Sequence, residues 1–124
     1  MNLKALRAEA QELQDEIVKW RRDLHQIPEL GLDLPETSAY VERTLKELGI
    51  PVKTGLAKSG VVGLIAGCEP GPTFALRADM DALPIQEETG LAFASRHPGR
   101  MHACGHDTHT AMLLGAAKLL QAHC

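Results

Sequence analysis

Apolar residues recur every three or four positions through the first part of the chain, with charged residues between them; they are Leu3, Leu6, Ala10, Leu13, Ile17, Trp20, Leu24 and Ile27. This period predicts one long amphipathic helix that Asn2 can cap. Pro28 should stop the helix near His25 or Gln26, because proline disfavours helix in the residue before it. An apolar stripe of this kind can pair two chains as a short coiled coil, but packing of the helix within one domain is the favoured interpretation.

A second apolar stripe predicts a helix that begins at Glu36 or Thr37 and ends at Gly49; its members are Tyr40, Val41, Leu45 and Leu48. Gly49 suits the left-handed conformation that often follows a helix. Residues 50–54 then read as a strand. Two further apolar runs, 61–67 and 73–78, are separated by Glu69-Pro-Gly-Pro72, and we expect them to pair as a hairpin.

After Pro84 the chain is irregular through Gly99, and a last helix should run from Asp107 or Thr108 to about Ala122. We expect its inward-facing residues to be Met112, Leu113, Ala116, Leu119 and Leu120. The order of helix, helix, several strands and helix implies an α/β sandwich. No repeat, low-complexity segment or domain linker interrupts the chain.

Composition narrows the classes of function. With 124 residues and 44% hydrophobic content, the chain can build one domain with a core. A net charge of −3 and only four aromatic residues argue against a nucleic-acid partner. The apolar runs are too short to span a membrane, and the N-terminus lacks a secretory signal. Three widely spaced cysteines are better explained by a reducing cytoplasm than by disulfides.

Candidate chemistry is concentrated between Met101 and His109, where a thiol, three imidazoles and a carboxylate fall within nine residues, just before the last helix. Cys104 and His106 are two residues apart on a turning segment, so that one loop can present both donors to one ion. A thiolate and an imidazole favour Zn²⁺ and tolerate Mn²⁺, Co²⁺ or Ni²⁺. A lone cysteine is more often a small buried hydrophobe, but the density of ligand types here favours a metal site over that alternative.

Three alternatives concern single residues. Asp107 can be a plain helix cap, which is at least as well supported as metal ligation. A Cys-His nucleophilic pair at Cys104 is weakly supported, because a thiol protease would place its histidine across a cleft. Asp79 and Asp81 alternate with Met80 and should face one side of an extended segment, where two carboxylates suit a shared cation. Capping of a turn is the less favoured interpretation of these two aspartates.

Three segments together resemble the N-terminal part of the M20 metallopeptidases, in the branch that hydrolyses N-acyl amino acids such as hippurate: residues 21–31, Asp79-Met-Asp-Ala-Leu-Pro84 and His102-Ala-Cys-Gly-His-Asp107. The resemblance covers about residues 14–120. It implies a zinc-exopeptidase-like α/β fold and a dinuclear metal centre with Cys104 and His106 among its ligands. It also implies that Asp81 supports a metal ligand as part of the catalytic machinery, whereas the role of Asp79 in this branch is less defined.

The resemblance further implies metal-assisted hydrolysis of the amide of a small N-acyl amino acid. A Glu-Glu pair, two more histidine ligands and a lid or dimerisation domain belong to the family and have no counterpart in 1–124. Glu87-Glu88 lies between the two signature segments and is not assigned that role. We therefore expect an N-terminal part of a catalytic domain, inactive alone and prone to self-association through Leu119 and Leu120. The alternatives are a non-catalytic metal-binding or interaction fragment, or a related carboxypeptidase or dipeptidase.

Overall fold

The computed structural model describes residues 2–124. Three helices come first, a small two-stranded sheet follows them, and a fourth helix comes last. The elements are α1 (Leu3–Glu12), α2 (Gln14–His25), α3 (Pro35–Glu47), β1 (Val52–Leu56), β2 (Gly60–Gly63) and α4 (His106–Ala122). This mixture confirms the α/β class.

The predicted first helix is divided into α1 and α2 at Leu13, whose φ of −82° and ψ of 0° depart from ideal helix. The division is slight, since the Ile17 amide still donates to the Leu13 carbonyl at 2.9 Å. The Asn2 side chain accepts a hydrogen bond from the Lys4 amide, which confirms the predicted cap. Helix α2 ends at His25, where Pro28 was expected to stop it.

Helix α3 begins at Pro35, one residue before the predicted start, and has no side-chain cap from its own N-cap residue. Glu29 supplies the cap from the preceding loop. Its buried carboxylate accepts hydrogen bonds from the amides of Glu36 at 3.1 Å and Thr37 at 2.7 Å. The negative charge also suits the positive end of the helix dipole. Gly49, just after the helix, has a φ of +75°, in agreement with its predicted conformation.

The predicted hairpin between 61–67 and 73–78 is wrong. Strand β2 pairs instead with β1 in antiparallel register, Val52 opposite Gly63 and Thr54 opposite Val61. Residues 73–78 form no strand and have no strand partner in the described chain. Two prolines in the intervening turn lack the N–H donors that a ladder requires. The side chain of Phe74 is 85% exposed, so no burial drives this segment onto β2.

The core lies between α2, α3 and α4, on one side of the β1–β2 sheet; its buried apolar members are Trp20, Leu24, Val41, Leu45, Ile50, Ala111 and Leu114. Each buried leucine contributes roughly 1.5–3 kcal/mol relative to exposure. The inward face of α4 differs from the prediction, because Met112 and Leu120 are exposed. The buried face is rotated toward Ala111, Leu114 and Gly115, since α4 packs against α2 along that line.

The two signature segments meet through a short bridge that lies outside the named strands. The amide of Leu83 donates to the Met101 carbonyl at 3.0 Å, and the Met101 amide donates to the Leu83 carbonyl at the same distance. This pair aligns 79–83 beside the chain that enters α4, and so brings the candidate ligands together. In residues 2–124 no helix has the length and apolar character needed to cross a bilayer.

Candidate metal site

His106 is the first residue of α4, and its ring is held by Asp81. The Nδ1 atom lies 2.9 Å from the Asp81 backbone carbonyl oxygen and 2.9 Å from a carboxylate oxygen of the same residue. A carbonyl oxygen can only accept, so Nδ1 must carry a proton, and in the neutral ring Nε2 then has a free lone pair. This tautomer is the one that a histidine adopts when Nε2 binds a metal.

Asp79 lies on the other side of the ring, with a carboxylate oxygen 3.8 Å from Nε2 of His106. One donor atom from each of Asp79, Asp81 and His106 can be chosen so that all three lie within 4.8 Å of one another. The hydroxyl of Thr110 contacts the Asp79 carbonyl oxygen at 3.0 Å and so ties this segment to α4. Arg77 forms an ion pair with Asp79 at 2.9 Å, but its side chain is 82% exposed.

Cys104 is exposed and has no disulfide partner in residues 2–124. It lies two residues before His106 in the loop that precedes α4, and Gly105 between them has a φ of +127°. The three-donor group does not include Cys104. Metal ligation by this thiol therefore stays a prediction, whereas Asp79 and Asp81 do lie beside His106.

His102 is buried, and within residues 2–124 neither of its ring nitrogens has a hydrogen-bond partner. Burial lowers the pKa of His102, and the neighbouring His25 and His106 lower it further against the opposing effect of Asp107 and Asp81. The ring is therefore held neutral. An unpaired buried polar group costs about 1–3 kcal/mol. Its place near the candidate ligands indicates a site that a bound polar group or ion completes.

A second polar cluster, which the sequence did not reveal, lies behind the candidate ligands. His25, at the end of α2, contacts Asp107 through Nδ1 at 2.7 Å and Glu87 through Nε2 at 2.9 Å. Arg21 also donates to Asp107, with Nε 2.9 Å from Oδ2. Both oxygens of Asp107 are occupied, because Oδ1 accepts from the Thr108 amide. The N-cap residue of α4 is Gly105, so the interpretation of Asp107 as the helix cap is wrong; Asp107 lies within the first turn and anchors it to α2.

Glu87 closes this cluster from the loop after Pro84. Burial would raise the pKa of Glu87, but hydrogen bonds from Thr89, the Ser95 amide and His25, with the charge of His25, hold it below its ordinary value. These contacts occupy the carboxylate of Glu87. Part of the cluster falls in residues 21–31, one of the segments that carry the resemblance, but no sequence pattern pairs His25 with Glu87 or Asp107.

The donor set fits a divalent metal. Carboxylates and a neutral imidazole with Nε2 free are common ligands of zinc and manganese, and a nearby thiol would shift the preference toward zinc or cobalt. Such an ion would polarise a carbonyl oxygen and activate water for hydrolysis. The orientation of His106 by Asp81 is the pattern in which an outer carboxylate fixes the tautomer of a metal ligand.

Comparison with known proteins agrees with this chemistry. Residues 75–124 match the profile of peptidase family M20/M25/M40. The chain is 55% identical over 109 residues to the N-acetyl-L-cysteine deacetylase of Bacillus subtilis, and these cover 88% of the chain and 26% of the relative. It is 49% identical over 108 residues to the N-acyl-L-amino acid amidohydrolase of Geobacillus stearothermophilus, with 87% of the chain and 29% of the relative covered.

The fold matches solved structures as well. The Bacillus subtilis YXEP protein, described as a dinuclear metal-binding peptidase of the M20 family, superposes with a TM-score of 0.85 at 47% identity, over 90% of this chain and 32% of that one. The chain thus spans between a quarter and a third of these relatives' length. The profile match, these identities and the shared fold show that the chain is similar, over most of its length, to members of peptidase family M20/M25/M40.

Proposed function

We propose that the chain contributes part of the metal centre of an amidohydrolase that cleaves the amide bond of N-acyl amino acids. The main support for the proposal is the hydrogen bond that orients His106 on Asp81. It leaves Nε2 without a hydrogen bond to Asp81 and facing the carboxylate of Asp79. Cys104 and His106 are the proposed ligands, and Asp81 is the proposed supporting residue of the catalytic machinery. The ion is zinc, manganese, cobalt or nickel, in a centre of two ions.

Each residue has a distinct task in this proposal. Asp81 accepts a hydrogen bond from Nδ1–H of His106, which keeps the ring in the tautomer that can bind a metal. Thr110 holds the backbone of Asp79 against α4. Asp79 supplies negative charge beside Nε2 of His106 and so favours a cation there. When bound, the metal supplies Lewis acidity for amide hydrolysis.

The proposed substrates are small N-acyl amino acids, with acetyl, benzoyl or other aromatic acyl groups. The names of two similar proteins, a deacetylase of N-acetyl-L-cysteine and an N-acyl-L-amino acid amidohydrolase, support this class. A carboxypeptidase is the second candidate, because the chain is also 52% identical over 116 residues to thermostable carboxypeptidase 1 of Saccharolobus solfataricus. Release of phenylalanine from N-acetylphenylalanine by the whole protein, compared with its release from a dipeptide, would separate the two.

We further infer that residues 1–124 form the N-terminal part of the catalytic domain, and that the lid or dimerisation domain and the remaining ligands lie elsewhere in the whole protein. The chain's coverage of about 26–30% of its curated relatives supports this division. The 124-residue chain alone should then be inactive. A reducing cytoplasm is the proposed location, which agrees with three exposed cysteines that form no disulfide in residues 2–124.

Cobalt binding tests the proposed ligands directly. A cobalt ion bound by a thiolate gives a charge-transfer band in the near ultraviolet, which nitrogen and oxygen ligands do not give. We expect this band when the 124-residue chain is titrated with Co²⁺, and we expect its loss in Cys104→Ser. Cys68→Ser and Cys124→Ser are matched controls, because both thiols are exposed and lie outside the site.

Two outcomes would contradict the assignment. If the band survives in Cys104→Ser, another thiol binds the ion. If no band forms at millimolar cobalt, Cys104 is not a ligand in this chain. Binding should also weaken as pH falls, since both donors must be deprotonated to ligate.

Turnover tests the inferred division of the protein. We expect negligible release of glycine from hippurate by the 124-residue chain with added Zn²⁺, Mn²⁺ or Co²⁺. Hydrolysis well above the buffer rate that Cys104→Ala abolishes would overturn the inference that further residues are required.

A further inference from the structure

His25 joins three separated parts of the chain through one buried imidazole. Its Nδ1 lies 2.7 Å from Asp107 on α4, and its Nε2 lies 2.9 Å from Glu87 in the loop after Pro84. The side chains of His25, Glu87 and Asp107 are each no more than 3% exposed. The contacts with Asp107 and Glu87 span 82 and 62 residues of sequence.

The partners of His25 decide the roles of its ring nitrogens. Both partners are carboxylates, and an ionised carboxylate only accepts hydrogen bonds, so a ring nitrogen that carries a proton donates to its partner. Arg21 brings a positive charge, and its Nε donates to Asp107. An imidazole and a guanidinium therefore face the two buried carboxylates.

The remaining neighbours of the ring do not compete for these bonds. Nη2 of Arg21 lies 3.5 Å from Nδ1 of His25, but an Nδ1 that carries a proton is a donor like Nη2. Phe93 presents an edge-to-face contact at 5.8 Å between ring centroids. His102, at 6.3 Å, has no hydrogen-bond partner among residues 2–124.

The two residues that His25 contacts lie in the same chain segments as His106 and Asp81. Asp107 directly follows His106 in the first turn of α4. Glu87 lies in the loop that continues from Asp81. The imidazole therefore restrains the helix start that carries His106 and the segment that leads away from its acceptor.

We propose that His25 is a positioning residue for His106: by bridging Asp107 and Glu87 it fixes the first turn of α4, so that Nδ1 of His106 stays on Asp81 and Nε2 stays free. That Nε2 must stay free in order to bind a metal rests on the proposed function. The restraint of the His106 ring is a property of the metal-free chain. His25 contacts neither the proposed ligands nor a substrate, so its effect reaches the site only through His106.

The tautomer of His106 in the metal-free chain is the decisive measurement. Ring ¹⁵N shifts at about pH 8, where ordinary histidines are neutral, distinguish a proton on Nδ1 from one on Nε2. The wild type should show Nδ1 protonated. His25→Ala should give a mixture of both tautomers while circular dichroism shows a folded chain, and its cobalt affinity should fall about tenfold or more.

His97→Ala is the matched control, because His97 also bridges to a carboxylate, Glu36 at 2.6 Å, but is partly exposed and unconnected to α4. It should leave the His106 tautomer and the cobalt affinity unchanged. A folded His25→Ala variant with wild-type tautomer and affinity would overturn the proposal.

If His25→Ala does not fold, two conservative variants test the proposal instead. The amide nitrogen of His25→Asn can occupy the place of Nδ1 and keep the bond to Asp107, whereas that of His25→Gln reaches toward Glu87. The proposal requires Asn to keep the His106 tautomer better than Gln, and equal or reversed behaviour overturns it. Absence of cobalt binding in the wild type would count against the proposed function alone, because the tautomer comparison needs no metal.

Discussion

The hydroxyl of Thr110 lies 3.0 Å from the backbone carbonyl oxygen of Asp79 and 2.9 Å from that of His106. One buried side chain in α4 therefore links the helix to the segment that carries the carboxylates of the candidate site. This contact was not predictable from the sequence, because a threonine within a helix usually bonds only within its own helix.

We predict that Thr110→Val, which keeps the shape but removes the hydroxyl, lowers the free energy of unfolding by about 1–2 kcal/mol. It should also weaken cobalt binding, because the Asp79 segment loses its anchor. Chemical denaturation and cobalt titration measure the two effects. Thr110→Ser keeps the hydroxyl and should preserve the cobalt affinity, and Thr108→Val, at an exposed position in the same turn, should change it little. Equal cobalt affinities for Thr110→Val and the wild type would refute the anchoring role.

Glu29 provides the second prediction, since it caps α3 from outside the helix. Glu29→Ala leaves two amides of the first turn without their acceptor and removes a favourable charge at the positive helix end. We expect a loss of about 2 kcal/mol in the free energy of unfolding, measured by denaturant melts. Glu42→Ala on the same helix breaks an exposed ion pair with Lys46 and should cost no more than about 0.5 kcal/mol. Similar losses for the two variants would contradict the cap.

The helices were largely predictable from the sequence, because their stability depends on local periodicity and on stop signals such as Pro28 and Gly49. The strands were less predictable. The apolar run 73–78 resembles a strand, but a strand needs a partner, and the described chain offers none. The rotation of α4 was also missed, because its apolar residues are spread around most of the helix and only the position of α2 selects the buried face.

The candidate site was also predictable only in part. Dense motifs singled out Asp79, Asp81 and His106 as candidates, since unusual combinations of ligand types are visible in the sequence. Their arrangement depends on the Leu83–Met101 bridge, and their support depends on His25, which lies 82 residues before Asp107. No spacing rule connects residues so far apart, so the supporting residues emerge only once the chain is folded.

Tyr40 provides the third prediction, through its hydrogen bond to Asp23 at 2.7 Å. Burial, then the hydrogen bond to Asp23 and its charge, raises the pKa of Tyr40 well above its ordinary value. Because the pKa is higher in the folded chain, the unfolded chain loses this proton first as pH rises. The stability that Tyr40 contributes is therefore complete below about pH 10 and declines above it.

Tyr40→Phe should therefore be less stable than the wild type by about 1 kcal/mol at neutral pH. The difference should shrink between about pH 10 and 11.5, as the wild type loses its advantage. Urea melts at several pH values, with phenolate absorbance as an independent monitor, test this. A difference that stays constant across that range would mean that the phenol titrates alike in the folded and unfolded chain.

Glu87 provides the last prediction, at the acidic end. Burial opposes its ionisation, but the hydrogen bonds from Thr89, the Ser95 amide and His25, with the charge of His25, outweigh burial and lower its pKa below the ordinary value of 4.5. The unfolded chain therefore takes up this proton first as pH falls. The stability that Glu87 contributes is complete well above pH 4.5 and is lost progressively below it, down to the lower pKa of the folded chain.

Glu87→Gln should accordingly be less stable than the wild type by about 2 kcal/mol at pH 7, because hydrogen bonds to a charged group are replaced by weaker ones. The gap should narrow as pH falls below 4.5, since the wild type alone loses the contribution of this carboxylate. Glu88→Gln removes the same charge at the adjacent exposed position and should have little effect at either pH. Denaturant melts between pH 7 and about 3 compare the three chains. A gap that widens toward acid would contradict this prediction. It would mean that the folded chain binds the proton of Glu87 more tightly than the unfolded chain does, so that folding raises the pKa.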